Sequence, residues 1–204
     1  MKTDINILLD ISGSMKEIKS DTIGGFNQFL QTQKELPDEA VVTLVQFDDQ
    51  YDLIYSAVPI QQVADLTEET FVPRGWTALL DALGKLIDTT GTRLRDMPEH
   101  DRPSKVIFVI ITDGEENKSK TFSKDKIFSM IKHQKDVYSW DFVFIGANQD
   151  VIASGADIGI SSKNTFFFTA DSRGVHDAYT TLSRNMSLYR NSTDVDKTKG
   201  FFNV

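Results

Sequence analysis

Asp10-Ile11-Ser12-Gly13-Ser14 places one carboxylate and two hydroxyls at alternate positions around a glycine, with no nitrogen or sulfur ligand beside them. Oxygen donors suit a hard divalent cation, and the glycine allows the tight turn that brings alternate side chains together. Further oxygen donors follow in Gly75-Trp76-Thr77-Ala78-Leu79 and in Thr112-Asp113-Gly114. Asp10, Ser12, Ser14, Thr77 and Asp113 together supply two carboxylates and three hydroxyls. That set fills most of the near-octahedral shell that Mg2+ demands, with water completing it, and Mn2+ or Ca2+ accepts the same donors. The aspartates offset the charge of the ion and the hydroxyls add none, so the bound metal could still accept one carboxylate from outside. A further aspartate in direct contact would quench that capacity.

Each position also has an ordinary explanation. Asp10, Ser12, Ser14 and Thr77 are all residues favoured as helix N-caps, and Asp113-Gly114 could be a simple turn. The metal reading draws its weight from the whole set, because compatible side chains fall repeatedly where strands end.

The elements that must position them read as follows. Ile5-Asn6-Ile7-Leu8-Leu9 is a short strand buried on both faces. A helix follows from near Met15 to about Glu35, ended by Leu36-Pro37, with Gly24-Gly25 marking a close contact with the sheet or a kink. Residues 40–47 form a second central strand and 51–58 a third. The link Asp48-Asp49-Gln50 is too short for a crossover, so these two strands form an antiparallel hairpin with the later one at the sheet edge. Residues 63–69 are ambiguous, 73–76 are loop, and Thr77 opens a helix through Leu79, Leu83 and Ile87. A charged connector over 91–103, a helix tail followed by a loop, precedes Val106-Ile107-Phe108-Val109-Ile110-Ile111, the most apolar segment and the natural sheet centre. Further elements are a helix over 124–135, a strand over 141–147, a short helix over 150–156, a strand over 165–169 and a helix over 174–189.

Strand and helix alternate, apart from the hairpin. The order implies an α/β fold: a Rossmann-like, doubly wound, mostly parallel sheet with one antiparallel edge strand and helices on both faces. In such a sheet ligands bind beyond the carboxyl ends of the strands, which is where the oxygen donors fall. Residues 1–190 make one domain, and 191–204 form a polar tail, loosely ordered or a docking arm carrying Phe201-Phe202.

Composition narrows the function. At 204 residues, 40% apolar and 25% charged, the chain can bury a substantial core. It has no cysteine, which excludes disulfides and thiolate metal sites, and its three histidines sit in no ligand spacing. A net charge of −8 argues against nucleic acid. No apolar run approaches the roughly 20 residues of a membrane span, and the N-terminal residues leave no room for a signal peptide, so a cytoplasmic location is expected.

Asp10-x-Ser12-x-Ser14, Thr77 within Gly75-Trp76-Thr77-Ala78-Leu79, and Asp113 within Thr112-Asp113-Gly114 resemble the three-part metal-ion-dependent adhesion site (MIDAS) of von Willebrand factor type A (vWA) domains. The resemblance covers about residues 4–190. It implies that Ser12 and Ser14 bind the metal directly, that Thr77 joins when ligand is present, and that Asp10 and Asp113 act largely through water. It also implies one antiparallel edge strand, as the hairpin spacing requires. Asp113-Gly114-Glu115-Glu116-Asn117 and Phe144-Ile145-Gly146-Ala147-Asn148-Gln149-Asp150 look more like the stand-alone intracellular members of bacteria and their phages than the secreted ones. Glu115 and Glu116 are the main departure: they could tighten the site, support it from behind or repel acidic ligands.

The expected function is a non-enzymatic, metal-dependent protein-interaction module that captures an Asp or Glu side chain of a partner protein. Met15, Trp76, Glu115 and Glu116 would form its rim. The rival is a magnesium-dependent phosphohydrolase or phosphotransferase with Asp10 as nucleophile, which commonly needs an acidic group where this chain has Ser12. A purely structural role is the third reading, disfavoured because every ligand position is filled.

Overall fold

A computed structural model describes residues 2–147, 151–192 and 200–202. The run Ile5-Asn6-Ile7-Leu8-Leu9 lies within β1 (Lys2–Asp10), whose residues from Thr3 onward are all buried. Burial on both sides puts β1 at the middle of the sheet, between β2 (Glu39–Phe47) and β4 (Lys105–Thr112), both parallel to it. β3 (Tyr51–Pro59) pairs antiparallel with β2 at one edge, while β5 (Asp141–Gly146) and β6 (Thr165–Phe167) continue parallel beyond β4. The order is β3-β2-β1-β4-β5-β6. The chain therefore winds outward from β1 in one direction and returns to build in the other, so the crossovers diverge between the carboxyl ends of β1 and β4.

The helices divide between the two faces. α1 (Lys19–Lys34) and α5 (Ser172–Asn191) cover one side, where Phe26, Phe29, Val175 and Leu182 pack with Ile5, Ile7, Val109 and Ile111. α2 (Leu79–Asp96) and α3 (Lys124–Tyr138) cover the other, where Leu83, Ile87, Ile127 and Ile131 pack with Leu8, Val45, Phe108 and Ile110. Ile158, just after α4 (Val151–Asp157), joins that second layer. The expected fold class is the one observed.

Several local expectations change. α1 begins at Lys19 because Gly13–Lys16 form a separate 3-10 turn, which turns Met15 and Ile18 into the core at 1% and 2% exposure. Gly25 does mark a close approach, but to Tyr179 of α5 and not to the sheet, and α1 runs unbroken past it. The ambiguous residues 63–69 are extended up to a single turn at their end, where the Phe71 amide donates to Thr67 O (3.0 Å), and the 3-10 turn Ile60–Gln62 precedes them. The helix tail expected at the start of the charged connector is present, with α2 continuing through Gly91 to Asp96, and it has a buried purpose. Thr90 Oγ1 donates to Asn6 Oδ1 (3.0 Å), and Arg93 Nη2 donates to Asp4 Oδ2 (2.5 Å) in the middle of the sheet. Burial pushes the Asp4 carboxyl up and Arg93 opposes it.

Two slips in the β2–β3 register, around Leu44, and a left-handed Ala57 (φ 50°) make the edge strand irregular. At the end of α5, Arg190 is fully buried and holds Asp38 through Nη2–Oδ1 (3.1 Å) and Nε–Oδ2 (3.2 Å). Lys105 Nζ donates to the carbonyls of Tyr189, Arg190 and Ser192, capping the same helix end. Phe201 is 7% exposed and contacts Tyr189, while Phe202 contacts Phe166. Residues 193–199 and 203–204 of the tail, and Asn148-Gln149-Asp150 of the later family-like stretch, lie outside the described residues.

Candidate metal centre

Asp10 is the last residue of β1 and is fully buried. Its Oδ1 accepts from the Ser12 amide (2.6 Å) and its Oδ2 from Thr112 Oγ1 (2.5 Å), so it joins the turn after β1 to the end of β4. Burial pushes its pKa up to about 6, against the opposing pull of these donors. Ser14 Oγ donates to Asp113 Oδ1 (2.6 Å) and lies 3.2 Å from Ser12 Oγ. Burial raises the Asp113 carboxyl as well, and the Ser14 bond works against it.

Thr77 is brought in by a loop stitched to the strand ends. The Arg74 amide donates to Ile11 O (2.6 Å), the Gly13 amide to Gly75 O (3.3 Å) and the Ala78 amide to Asp48 O (2.9 Å). Gly75 has φ +65°, and a side chain there would meet the Asp48 and Asp49 carboxylates. From the other side, Asn117 Oδ1 accepts from the Thr77 amide and its own amide donates to Thr77 O, both at 3.0 Å. The result is a convergence beside Gly114. A Cβ built on that glycine would lie 3.0 Å from Thr77 Oγ1, 3.4 Å from Ser14 Oγ and 3.5 Å from Ser12 Oγ. All five expected ligands therefore belong to one connected site at the sheet's carboxyl edge.

Helix capping does not account for these residues. Ser12 precedes the 3-10 turn without a side-chain cap bond, and α2 is preceded by Ala78, not Thr77. The first turn of α2 is satisfied instead by Glu116, whose Oε2 accepts from the Leu80 amide (2.9 Å). Among the described residues no three Asp, Glu or His side chains are gathered where they could hold an ion. The donor set here has two carboxylates and takes its remaining oxygens from hydroxyls, which fits a hard cation that keeps some water.

Of the expected rim, Trp76 is 60% exposed with Lys118 Nζ 5.5 Å from its ring centre, and Glu115 faces solvent. Met15 is not at the rim, because the 3-10 turn points it into the core. Glu116 is turned inward: besides Leu80 it accepts from the amides of Lys118 (2.9 Å) and Ser119 (2.7 Å), so it holds the loop instead of facing a partner. Asp48 and Arg74 escape a reading of the sequence, and Thr112 and Asn117, though within the oxygen-rich stretch after β4, are given no role of their own there. Arg74 Nε donates to the buried Asp48 Oδ2 (3.0 Å) and its Nη2 to Asp52 Oδ2 (2.5 Å), which anchors the Thr77 loop to the hairpin. Thr112 carried the clearer signal, as the residue between a strong strand and a candidate ligand aspartate.

A mostly parallel sheet ordered about a central first strand, with oxygen side chains at the divergence of its crossovers, defines a Rossmann-like α/β domain. The von Willebrand factor type A domain family matches residues 4–181, and the chain belongs to that family. Among solved structures it is similar to the vWF domain of the type V pili tip protein Mfa5 from Porphyromonas gingivalis: 8% identity, 95% of this chain and 97% of that one, TM-score 0.64. Proximal thread matrix protein 1 of the mussel byssus, with a zinc-occupied MIDAS motif, matches at 16% identity over 91% of this chain, TM-score 0.62. This chain covers 46% of that mussel protein. A von Willebrand factor type A protein from Catenulispora acidiphila matches at 13% identity over 91% of this chain and 42% of that one, TM-score 0.56. At these identities the likeness is one of fold. No curated protein matches the sequence.

Proposed function

We propose that this domain is a metal-dependent protein-interaction module. Ser12, Ser14 and Thr77 hold a divalent cation, Mg2+ with Mn2+ or Ca2+ as substitutes, while Asp10 and Asp113 balance its charge and orient the donors. The open face of the ion takes an Asp or Glu carboxylate from a partner protein, and Trp76 and Glu115 border the contact. The observation that carries this reading is the convergence of three hydroxyls beside Gly114, next to an aspartate on the far strand end. The zinc-occupied MIDAS motif of the mussel protein supports it by analogy of fold.

The phosphotransferase alternative asks Asp10 to attack a substrate, and the burial of Asp10 counts against it. Its side chain is 0% exposed and both oxygens are already bonded. The absence of cysteine suits the cytoplasm, and the likeness of Asp113-Gly114-Glu115-Glu116-Asn117 to intracellular members of bacteria and their phages supports placing the protein with them. Capture of partner proteins by the wild type beside a Ser12→Ala/Ser14→Ala variant, with Mg2+ and with EDTA, tests the function. Partners retained only by the wild type with metal are expected; a catch that is identical in all arms overturns the reading.

A further inference from the structure

Thr77 is the one expected metal donor that follows no strand: β3 ends at Pro59 and α2 starts at Leu79. Ala78, between the threonine and the helix, has φ −102° and ψ 60° and makes no side-chain cap bond, so the helix start does not fix Thr77 either. What fixes it lies 40 residues further along the chain.

The loop after β4 supplies the missing acceptors. Asn117 Oδ1 accepts from the Thr77 amide (3.0 Å), Glu116 Oε2 from the Leu80 amide (2.9 Å) and Ser119 Oγ from the Asp81 amide (3.0 Å), while Thr77 O accepts from the Asn117 amide in return (3.0 Å). Amides at a helix start have no partner inside the helix, so the side chains of this loop serve as a cap delivered from elsewhere in the chain. The loop has separate fastenings further along α2. Asp81 accepts the amides of Lys120, Thr121 and Phe122, each at 2.8 Å, and the Phe122 ring lies where a Cβ on Gly84 would come within 2.5 Å of it. Those fastenings do not use Asn117, whose side chain is exposed and committed to Thr77.

We infer that Asn117 and Glu116 are positioning residues of the metal site. Asn117 acts on Thr77 directly and Glu116 through the first turn of α2. Together they set where Thr77 Oγ1 stands beside Ser12 and Ser14, and so the affinity for the ion, without being donors to it. Groups that hold a metal ligand from behind are worth about 10- to 100-fold in metal affinity. The inference rests on the metal-dependent reading and adds to it the residues that keep the site assembled.

The test compares the full-length wild type with Asn117→Ala, Asn117→Asp and Glu116→Ala by calorimetric Mg2+ titration, melting in EDTA and hydrogen exchange at the Thr77 amide in EDTA. Asn117→Ala should raise the Mg2+ Kd about tenfold and speed exchange at Thr77, while the EDTA melting temperature moves by no more than about 3 °C. Asn117→Asp keeps an acceptor in place and should restore both affinity, to within about threefold of wild type, and protection at Thr77. Glu116→Ala should weaken Mg2+ binding about tenfold as well. Wild-type affinity in either alanine variant, unchanged exchange at Thr77 in Asn117→Ala, or an equal loss in Asn117→Asp overturns the positioning role and leaves the metal reading standing. A wild type that binds no Mg2+ overturns the metal reading and the inference with it.

Discussion

Thr112 Oγ1 donates to Asp10 Oδ2 across 2.5 Å, tying the carboxyl ends of the two strands where the winding of the sheet diverges. The bond lies in a fully buried setting, and the aspartate that receives it has a carboxyl pushed up to about 6 by burial. The link between the strand ends and the raised carboxyl thus come from one arrangement.

The pH dependence follows in sign. A carboxyl whose folded pKa exceeds its unfolded value of about 3.9 favours the folded state at low pH, and that contribution is lost as pH rises through about 6. Asp113 and Asp4 are raised in the same direction. The metal-free protein should gain stability from pH 7 to pH 5 through these groups, by about 1.4 kcal/mol from Asp10. Metal binding needs the carboxylates ionised, so affinity should fall over the same interval. Melting at each pH with EDTA and with Mg2+ checks both slopes; parallel curves would contradict them.

Mg2+ or Mn2+ should raise the melting temperature, by mass action on the folded state alone. At a free concentration a hundredfold above Kd the gain is about 2.7 kcal/mol. Asp113→Ala should abolish the rise, and a wild-type melt indifferent to millimolar metal would end the claim.

Gly114→Ala separates site from scaffold. Its methyl would sit 3.0 to 3.5 Å from three hydroxyls, in the space the cation needs, while the backbone there is outside the left-handed region. The expected result is a metal-free melt within about 0.5 kcal/mol of wild type and no response to Mg2+. Calorimetric titration of the variant provides the check.

Asp38→Ala leaves the buried Arg190 guanidinium short of its counter-charge and should cost about 3 to 5 kcal/mol. Arg190→Met together with Asp38→Ala should cost less than Asp38→Ala alone. Chemical denaturation of the two single variants and the double variant measures the coupling, and losses that simply add would show that the pair carries none.

Much of this was legible in the sequence because periodicity and spacing report it directly. The two-sided burial of β1, the hairpin forced by Asp48-Asp49-Gln50 and the oxygen set Asp10, Ser12, Ser14, Thr77 and Asp113 all fall in that class. What escaped depends on partners far along the chain. Arg93 reads as surface charge until Asp4 lies beneath it, and Glu116 reads as rim until the bare first turn of α2 is beside it. Met15 reads as rim because it directly follows Ser14, although the apolar pattern it shares with Ile18 and Phe26 agrees with the core position it takes. The Asp48–Arg74 tether leaves no trace at all, being an ordinary aspartate and an ordinary arginine in two polar loops.

The slips around Leu44 and the left-handed Ala57 matter beyond the hairpin itself. A nine-residue outer strand with Leu53 and Ile54 at 52% and 42% exposure would otherwise present an even row of free amides and carbonyls to any passing chain. Broken spacing denies a newcomer continuous pairing, so the sheet is blunted as a template for fibre growth at the flank opposite β6.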